Sequence, residues 1–232
     1  MVHKTTWALA ALFVVTAACA KQNEASTHPD SASAIASGAE ADPDRPQSGT
    51  DLPAGYTALT DKPDAKITDA SYSTSGGRWE VRTGPAHIVY SPKDSASGVY
   101  SVSATIEQLE QPRHPEAYGI FFGGQQLHDR AAQRYSYFLV RGTGEYLLKV
   151  REGDKTTSIV NWTASPDVPK QDASGKATYT LKAHFAPDTV HLFVNDKLVA
   201  AAPRQSIPSN GVAGLRINHN LRLMVEPVKV GN

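Results

Sequence analysis

The chain has 232 residues, 40% of them hydrophobic and 20% charged, which suffices for one ordinary globular domain. Lys plus Arg and Asp plus Glu number 23 each, and that balance argues against the broad electrostatic attraction that nucleic acid or an anionic bilayer would need. A single cysteine excludes an internal disulfide framework, so packing alone must hold the fold.

The chain opens like a targeting segment. Lys4 supplies a short positive stretch, and residues 7–18 form an apolar run ending in small residues. The run is too short to span a bilayer as a stable helix. Cys19 closes it after Val15-Thr16-Ala17-Ala18, and this stretch resembles the lipobox of bacterial lipoproteins, with Thr16 where Leu or Val is commoner. The resemblance implies that Cys19 becomes the mature N-terminus and carries fatty acyl chains such as palmitate. Ala20, in place of Asp, suits an outer-membrane destination in the cell envelope. Several chains, each contributing about 0.8 kcal/mol per buried CH₂, would hold the protein firmly at a membrane. Residues 20–52 are mostly Ala, Ser, Pro, Asp, Gly and Thr, as in Asp42-Pro43-Asp44-Arg45-Pro46. Such a segment buries too little surface to offset ordering entropy and reads as a flexible tether.

Beyond Tyr56, turn chemistry alternates with strand-like runs. Asp61-Lys62-Pro63-Asp64 and Ser75-Gly76-Gly77-Arg78 read as turns; Trp79-Glu80-Val81-Arg82 and His87-Ile88-Val89-Tyr90 read as short strands, with Trp79 as a core anchor. From Tyr100 to Glu107 apolar and polar residues alternate, so Tyr100, Val102, Ala104 and Ile106 should face the core. The segments 117–124 and 135–141 are dense in aromatic and β-branched residues, and Gly142-Thr143-Gly144 should turn the second into Tyr146-Leu147-Leu148. A further strand is expected over 157–162 and a polar loop over 165–175. The C-terminal third predicts antiparallel strands over 177–185, 190–194 and 197–199, with Asn195-Asp196 as a tight turn, and closing strands over 211–217 and 221–228.

Together, Tyr118-Gly119-Ile120 with Phe122, the aromatic strand ending at Arg141, the hairpin over 190–199 and the closing segment resemble a concanavalin A-like jelly roll. Within that group the likeness is to laminin-G-like modules and to bacterial domains related to 3-keto-disaccharide hydrolases and to glycoside hydrolase family 16. The resemblance implies an all-β sandwich of two antiparallel sheets over residues 53–232, following a leader (1–18) and a lipidated linker (19–52), with a concave surface that relatives use for glycans. Some relatives hold Ca²⁺, the one cofactor the resemblance admits. The closely spaced acidic residues of family 16 enzymes are missing here, so no catalytic residue is carried over.

Three candidate sites follow from the residues. Glycosidases need two carboxyl groups about 5 to 9.5 Å apart; Glu107 and Glu110 fall on opposite faces of a strand, and Glu145 or Glu226 would have to complete a pair with Glu107. His184 and His191 should face each other across the turn over 186–189, two imidazoles short of a metal site, with His219 as a remote third ligand. Tyr118, Tyr135, Tyr137 and Trp162 could form an aromatic platform for a sugar, with Arg141 and Asn218 as hydroxyl partners; in central strands such aromatics are more often core. These residues leave three functions open: non-catalytic binding of carbohydrate or another envelope ligand, a glycoside or 3-keto-disaccharide hydrolase, and a structural or adhesive envelope protein.

Overall fold

The computed structural model describes residues 52–231. The expected leader, Cys19 and the expected linker up to residue 51 lie outside the described residues. Among those described, no helix is long and apolar enough to cross a membrane.

The strands in chain order are β1 (Thr57–Thr60), β2 (Ser71–Ser75), β3 (Arg78–Arg82), β4 (His87–Ala96), β5 (Tyr100–Gln108), β6 (Ala117–Gln125), β7 (Arg134–Arg141), β8 (Glu145–Glu152), β9 (Lys155–Ala164), β10 (Ala177–Phe185), β11 (Thr189–Val194), β12 (Lys197–Pro203), β13 (Gly211–Ile217), β14 (Arg222–Val225) and β15 (Lys229–Gly231). They form two antiparallel sheets. The first runs β1-β4-β13-β6-β7-β8-β9; the second runs β12-β11-β10-β5-β14-β3-β2, with β15 also on β5.

The core between the sheets is built by alternation. Tyr100, Val102, Ala104 and Ile106 of β5 are all buried and face inward, as their spacing predicts. Tyr179, Leu181, Ala183 and Phe185 of β10 continue the same layer, meeting Tyr118, Ile120 and Phe122 of β6. Trp79 is buried as an anchor, with the ring of Tyr56 at 4.5 Å edge-on. The Asn195-Asp196 turn takes φ of 48° and 62°, the left-handed pair that a two-residue hairpin requires.

The two sheets differ in their outer faces. In the second, inward and outward residues alternate between buried and partly exposed. In the first, β6 and β7 are buried on both faces, because Ile88, Tyr90, Phe121, Tyr135, Tyr137, Leu139 and Leu147 form a second apolar cluster on the outer side. Leu127, in the connection between β6 and β7, joins it. Arg130 pins that connection to the end of β1, donating to the Asp61 and Lys62 carbonyls at 2.9 and 3.2 Å.

Several elements differ from the sequence expectation. Strands β1 and β2 are short and mixed in composition, and only their pairing with β4 and β3 makes them strands. Strand β4 runs on through Pro92 to Ala96. The closing run over 221–228 is two strands: β14 and β15 pair with opposite ends of β5, and Pro227, which has no N–H to donate, falls in the break.

Candidate functional site

Antiparallel pairing brings four strand ends together. Thr60 of β1 lies opposite His87 of β4, which lies opposite Ile217 of β13, which lies opposite Tyr118 of β6. The segments at the ends of β1, β4 and β13 line a pocket of about 510 Å³, with Asp61, Lys62, Asp69, Arg216, Asn218 and His219 among its residues. That volume falls in the range of about 300 to 1,000 Å³ found for small-molecule sites.

Arg216 and Asp61 dominate its electrostatics. The Arg216 side chain is only 9% exposed, and its Nη2 donates to Asp61 Oδ2 at 2.5 Å. Arg151, also largely buried, places Nη1 3.6 Å from Asp61 Oδ1. One carboxylate therefore serves two guanidinium groups. Burial by itself would lower the Arg216 pKa, but Asp61, Tyr135 and Tyr137 outweigh it and raise it, so the group stays charged. Its Nε and Nη1 are buried without a hydrogen-bond partner, and its guanidinium carbon lies 5.8 Å from the Tyr137 ring.

Behind the pocket wall, His87 is fully buried. Its Nδ1 donates to the Pro85 carbonyl at 2.8 Å, leaving Nε2 to accept from the Tyr72 hydroxyl. Burial lowers its pKa from 6.5 to about 4, against the contrary pull of the Pro85 hydrogen bond. Because the folded value lies below the unfolded one, the neutral ring imposes no penalty above pH 6.5, and stability falls as pH drops from there towards 4. The loss should reach about 2 kcal/mol by pH 5. Urea unfolding of wild type and His87→Gln at pH 7.5 and 5 checks this; parallel pH dependence in the two would refute it.

Beside the pocket sits a compact polar group. His114 Nδ1 and His219 Nε2 lie 2.7 and 3.1 Å from Glu116 Oε1, and Asn218 Nδ2 donates to Glu116 Oε2 at 3.2 Å. The Glu116 side chain is 8% exposed.

The six residues expected to bind a sugar do not form one site. Tyr118 points between the sheets, is 0% exposed and packs 6.1 Å from Tyr179, so it presents no surface to a ligand. Tyr135 and Tyr137 lie on the opposite, outer face, and are buried in the second apolar cluster. Arg141, Trp162 and Asn218 are related differently. The Asn218 amide bonds the Ala117 carbonyl, Ala117 is the cross-strand partner of Arg141, and Arg141 is the partner of Glu145. Alternation puts these four side chains on the outer face in one row. At its far end the Arg141 guanidinium lies 4.3 Å over the ring of Trp162, which is 36% exposed. Arg141 also grips Glu145 through two hydrogen bonds of 2.7 and 2.8 Å, and those bonds, then one from Thr143, hold the Glu145 carboxyl below the usual range.

The other two candidates resolve into ion pairs and a histidine stack. Glu107 pairs with Arg78, Glu110 with Arg222 and Glu226 with Lys229. His184 and His191 face each other in the expected register, with ring centroids 6.3 Å apart, and His184 Nδ1 is 2.9 Å from Ser101 Oγ. Among the described residues the only trio with metal-ligand spacing is His114, Glu116 and His219, so His219 belongs with that pair and not with His184 and His191.

No family model and no curated protein sequence matches the chain. Among solved structures, the fold is similar to the carbohydrate-binding module CBM66 from Bacillus subtilis (17% identity, TM-score 0.54, covering 77% of this chain and 96% of that one). It is similar to a glycoside hydrolase family 16 endo-glucanase from Bacteroides ovatus (9%, 0.53, 75% and 94%). A Bacillus subtilis protein with a galectin-like fold is comparable (12%, 0.52, 76% and 88%). These likenesses agree with the observed architecture: the described residues form an all-β, two-sheet antiparallel jelly roll.

Proposed function

We propose that this domain is a non-catalytic module that binds carbohydrate, held at the bacterial envelope through a lipid on Cys19. The observation that carries the binding reading is the polar pocket of Asp61, Arg216 and Asn218, continued along one sheet row to Arg141, whose guanidinium lies over the exposed Trp162 ring. Convergent charged and amide groups suit sugar hydroxyls, and an indole suits the apolar face of a pyranose. One of the similar structures is a carbohydrate-binding module and another an endo-glucanase, which supports the same ligand class.

Glycan-array and polysaccharide pull-down experiments with the full-length chain in detergent test this. We expect retention on at least one glycan, with Lys62→Ala in the pocket or Trp162→Ala beside the row each weakening it about tenfold, or ~1.4 kcal/mol. No retention on any glycan would overturn the proposal. The anchor has its own readout: wild type should partition into a detergent phase and Cys19→Ser into the aqueous phase, whereas equal partitioning would remove the lipid.

A hydrolase is the second reading, favoured by Asp61 and Asp69 lining one pocket. Asp61, however, is committed to two arginines, which leaves Asp69 to supply acid or base chemistry. Glycan cleavage abolished by Asp69→Asn would establish that reading; an intact bound glycan excludes it. The adhesive alternative calls for a broad apolar patch. Among the described residues, the exposed large apolar side chains are Val99, Trp162 and Leu198, each on a separate element.

A further inference from the structure

We propose that His114, Glu116 and His219 form a binding site for one divalent transition-metal ion of the zinc class, beside the pocket that His219 lines. Their ligand atoms all lie within 4.8 Å of one another. Tetrahedral coordination at about 2.0–2.1 Å sets neighbouring ligand atoms about 3.3 Å apart, so small side-chain rotations close the trio on an ion.

The backbone builds this arrangement. Ile217 of β13 pairs with Tyr118 of β6, and the Asn218 N–H bonds the Ala117 carbonyl at 3.0 Å. One further step of that register sets His219 across from Glu116, at the separation where cross-strand side chains meet. His114 stands two residues before Glu116, and the intervening Pro115 restricts the backbone between them. Glu116 is almost wholly buried, and Asn218 holds its second oxygen at 3.2 Å. That is the partner a ligating carboxylate needs to stay oriented. Both imidazoles direct a nitrogen at the first oxygen. Without an ion these are N–H to carboxylate contacts; with an ion the same nitrogens turn lone pairs to the metal, while Asn218 keeps its bond.

The donor set selects the metal. Two imidazole nitrogens and one carboxylate suit Zn²⁺, Co²⁺ or Ni²⁺, whereas Ca²⁺ and Mg²⁺ prefer an all-oxygen shell. Three protein ligands leave a coordination position for water, as in zinc sites that exchange a ligand.

The full-length chain, without an affinity tag and in detergent, is titrated with Co²⁺ while its visible spectrum is recorded, then with Zn²⁺ as competitor. We expect one equivalent of Co²⁺ with d–d bands of tetrahedral intensity, displaced by Zn²⁺ and unmoved by excess Ca²⁺ or Mg²⁺. His219→Ala and Glu116→Gln should each lower the affinity at least 100-fold, and Asn218→Ala about tenfold, the lower end of the effect of an outer partner. His184→Ala should leave the spectrum unchanged. His219 is 38% exposed, so its variant tests the site even if Glu116→Gln fails to fold. Absent bands, or bands that survive His219→Ala, would overturn the proposal. The inference is independent of the carbohydrate reading: glycan retention and the cobalt spectrum are separate measurements, and either can fail alone.

Discussion

Replacing Asp61 with alanine is expected to destabilise the domain by about 3 kcal/mol, moving the urea midpoint down by about 1.5 M at a slope of roughly 2 kcal/mol per M. The side chain is the counter-ion for Arg216, 9% exposed, and for Arg151, 11% exposed. Removing it leaves buried positive charges with nothing opposite them, the costly way to break a buried pair. Asp61 is itself 26% exposed, and water entering from the pocket side keeps the loss at the lower end of the usual 3–5 kcal/mol range. The reciprocal change separates this explanation from loss of a surface contact. Arg216→Met removes the charge that has to be compensated, leaves Asp61 with Arg151 and puts an apolar chain beside the Tyr137 ring, so it should cost well under half as much. Equal losses for the two variants would show that the pair does not work in this way.

Phe185→Ala should cost more, about 4 kcal/mol, with a fall of about 12 °C in the melting temperature at the usual sensitivity of a domain this size. Phe185 is fully buried and stacked on Tyr100 at 4.3 Å. Its edge meets Phe122, from the other sheet, at 4.9 Å. The deleted ring thus leaves a hole where the two layers touch, lined by rings too rigid to collapse into it. Phe185→Leu, which keeps most of the volume, should recover more than half of the loss. Differential scanning calorimetry of the three proteins decides it; a fall of only a few degrees for the alanine variant would mean that the layers close up around the gap.

Much of the architecture can be read directly from the residues, because on β5, β10 and β11 only one face is buried and alternation is visible as text. The first sheet is harder to read. With β6 and β7 buried on both sides, the period of two disappears, and Tyr118 and Tyr137 look alike in sequence although one faces the core and the other the outer cluster. Distance along the chain hides the site more completely. Asp61 and Arg216 are 155 residues apart, and Asp61 sits in what reads as a plain turn. One signal was available: an arginine between Leu215 and Ile217 in a central strand demands a buried partner. His114 and Glu116 gave no such sign, since only the pairing of β13 with β6 brings His219 to them. Asn218 and Arg141 share a sheet row because the β13–β6 pairing and the β6–β7 hairpin register align them through Ala117, and Trp162 joins them only through its ring under the Arg141 guanidinium.

The pairing scheme also governs when this molecule can come into being during synthesis. Strand β13 is the third member of one sheet, between β4 and β6, and β14 sits inside the other, between β5 and β3. An interior position of each sheet is therefore filled by a strand that comes after β12 in the chain, so a nascent chain short of Ile217 can close neither layer. Contacts between such distant parts of the chain make folding slow and all-or-none, and a nonsense codon between β12 and β13 should be as damaging as one at the start of the domain.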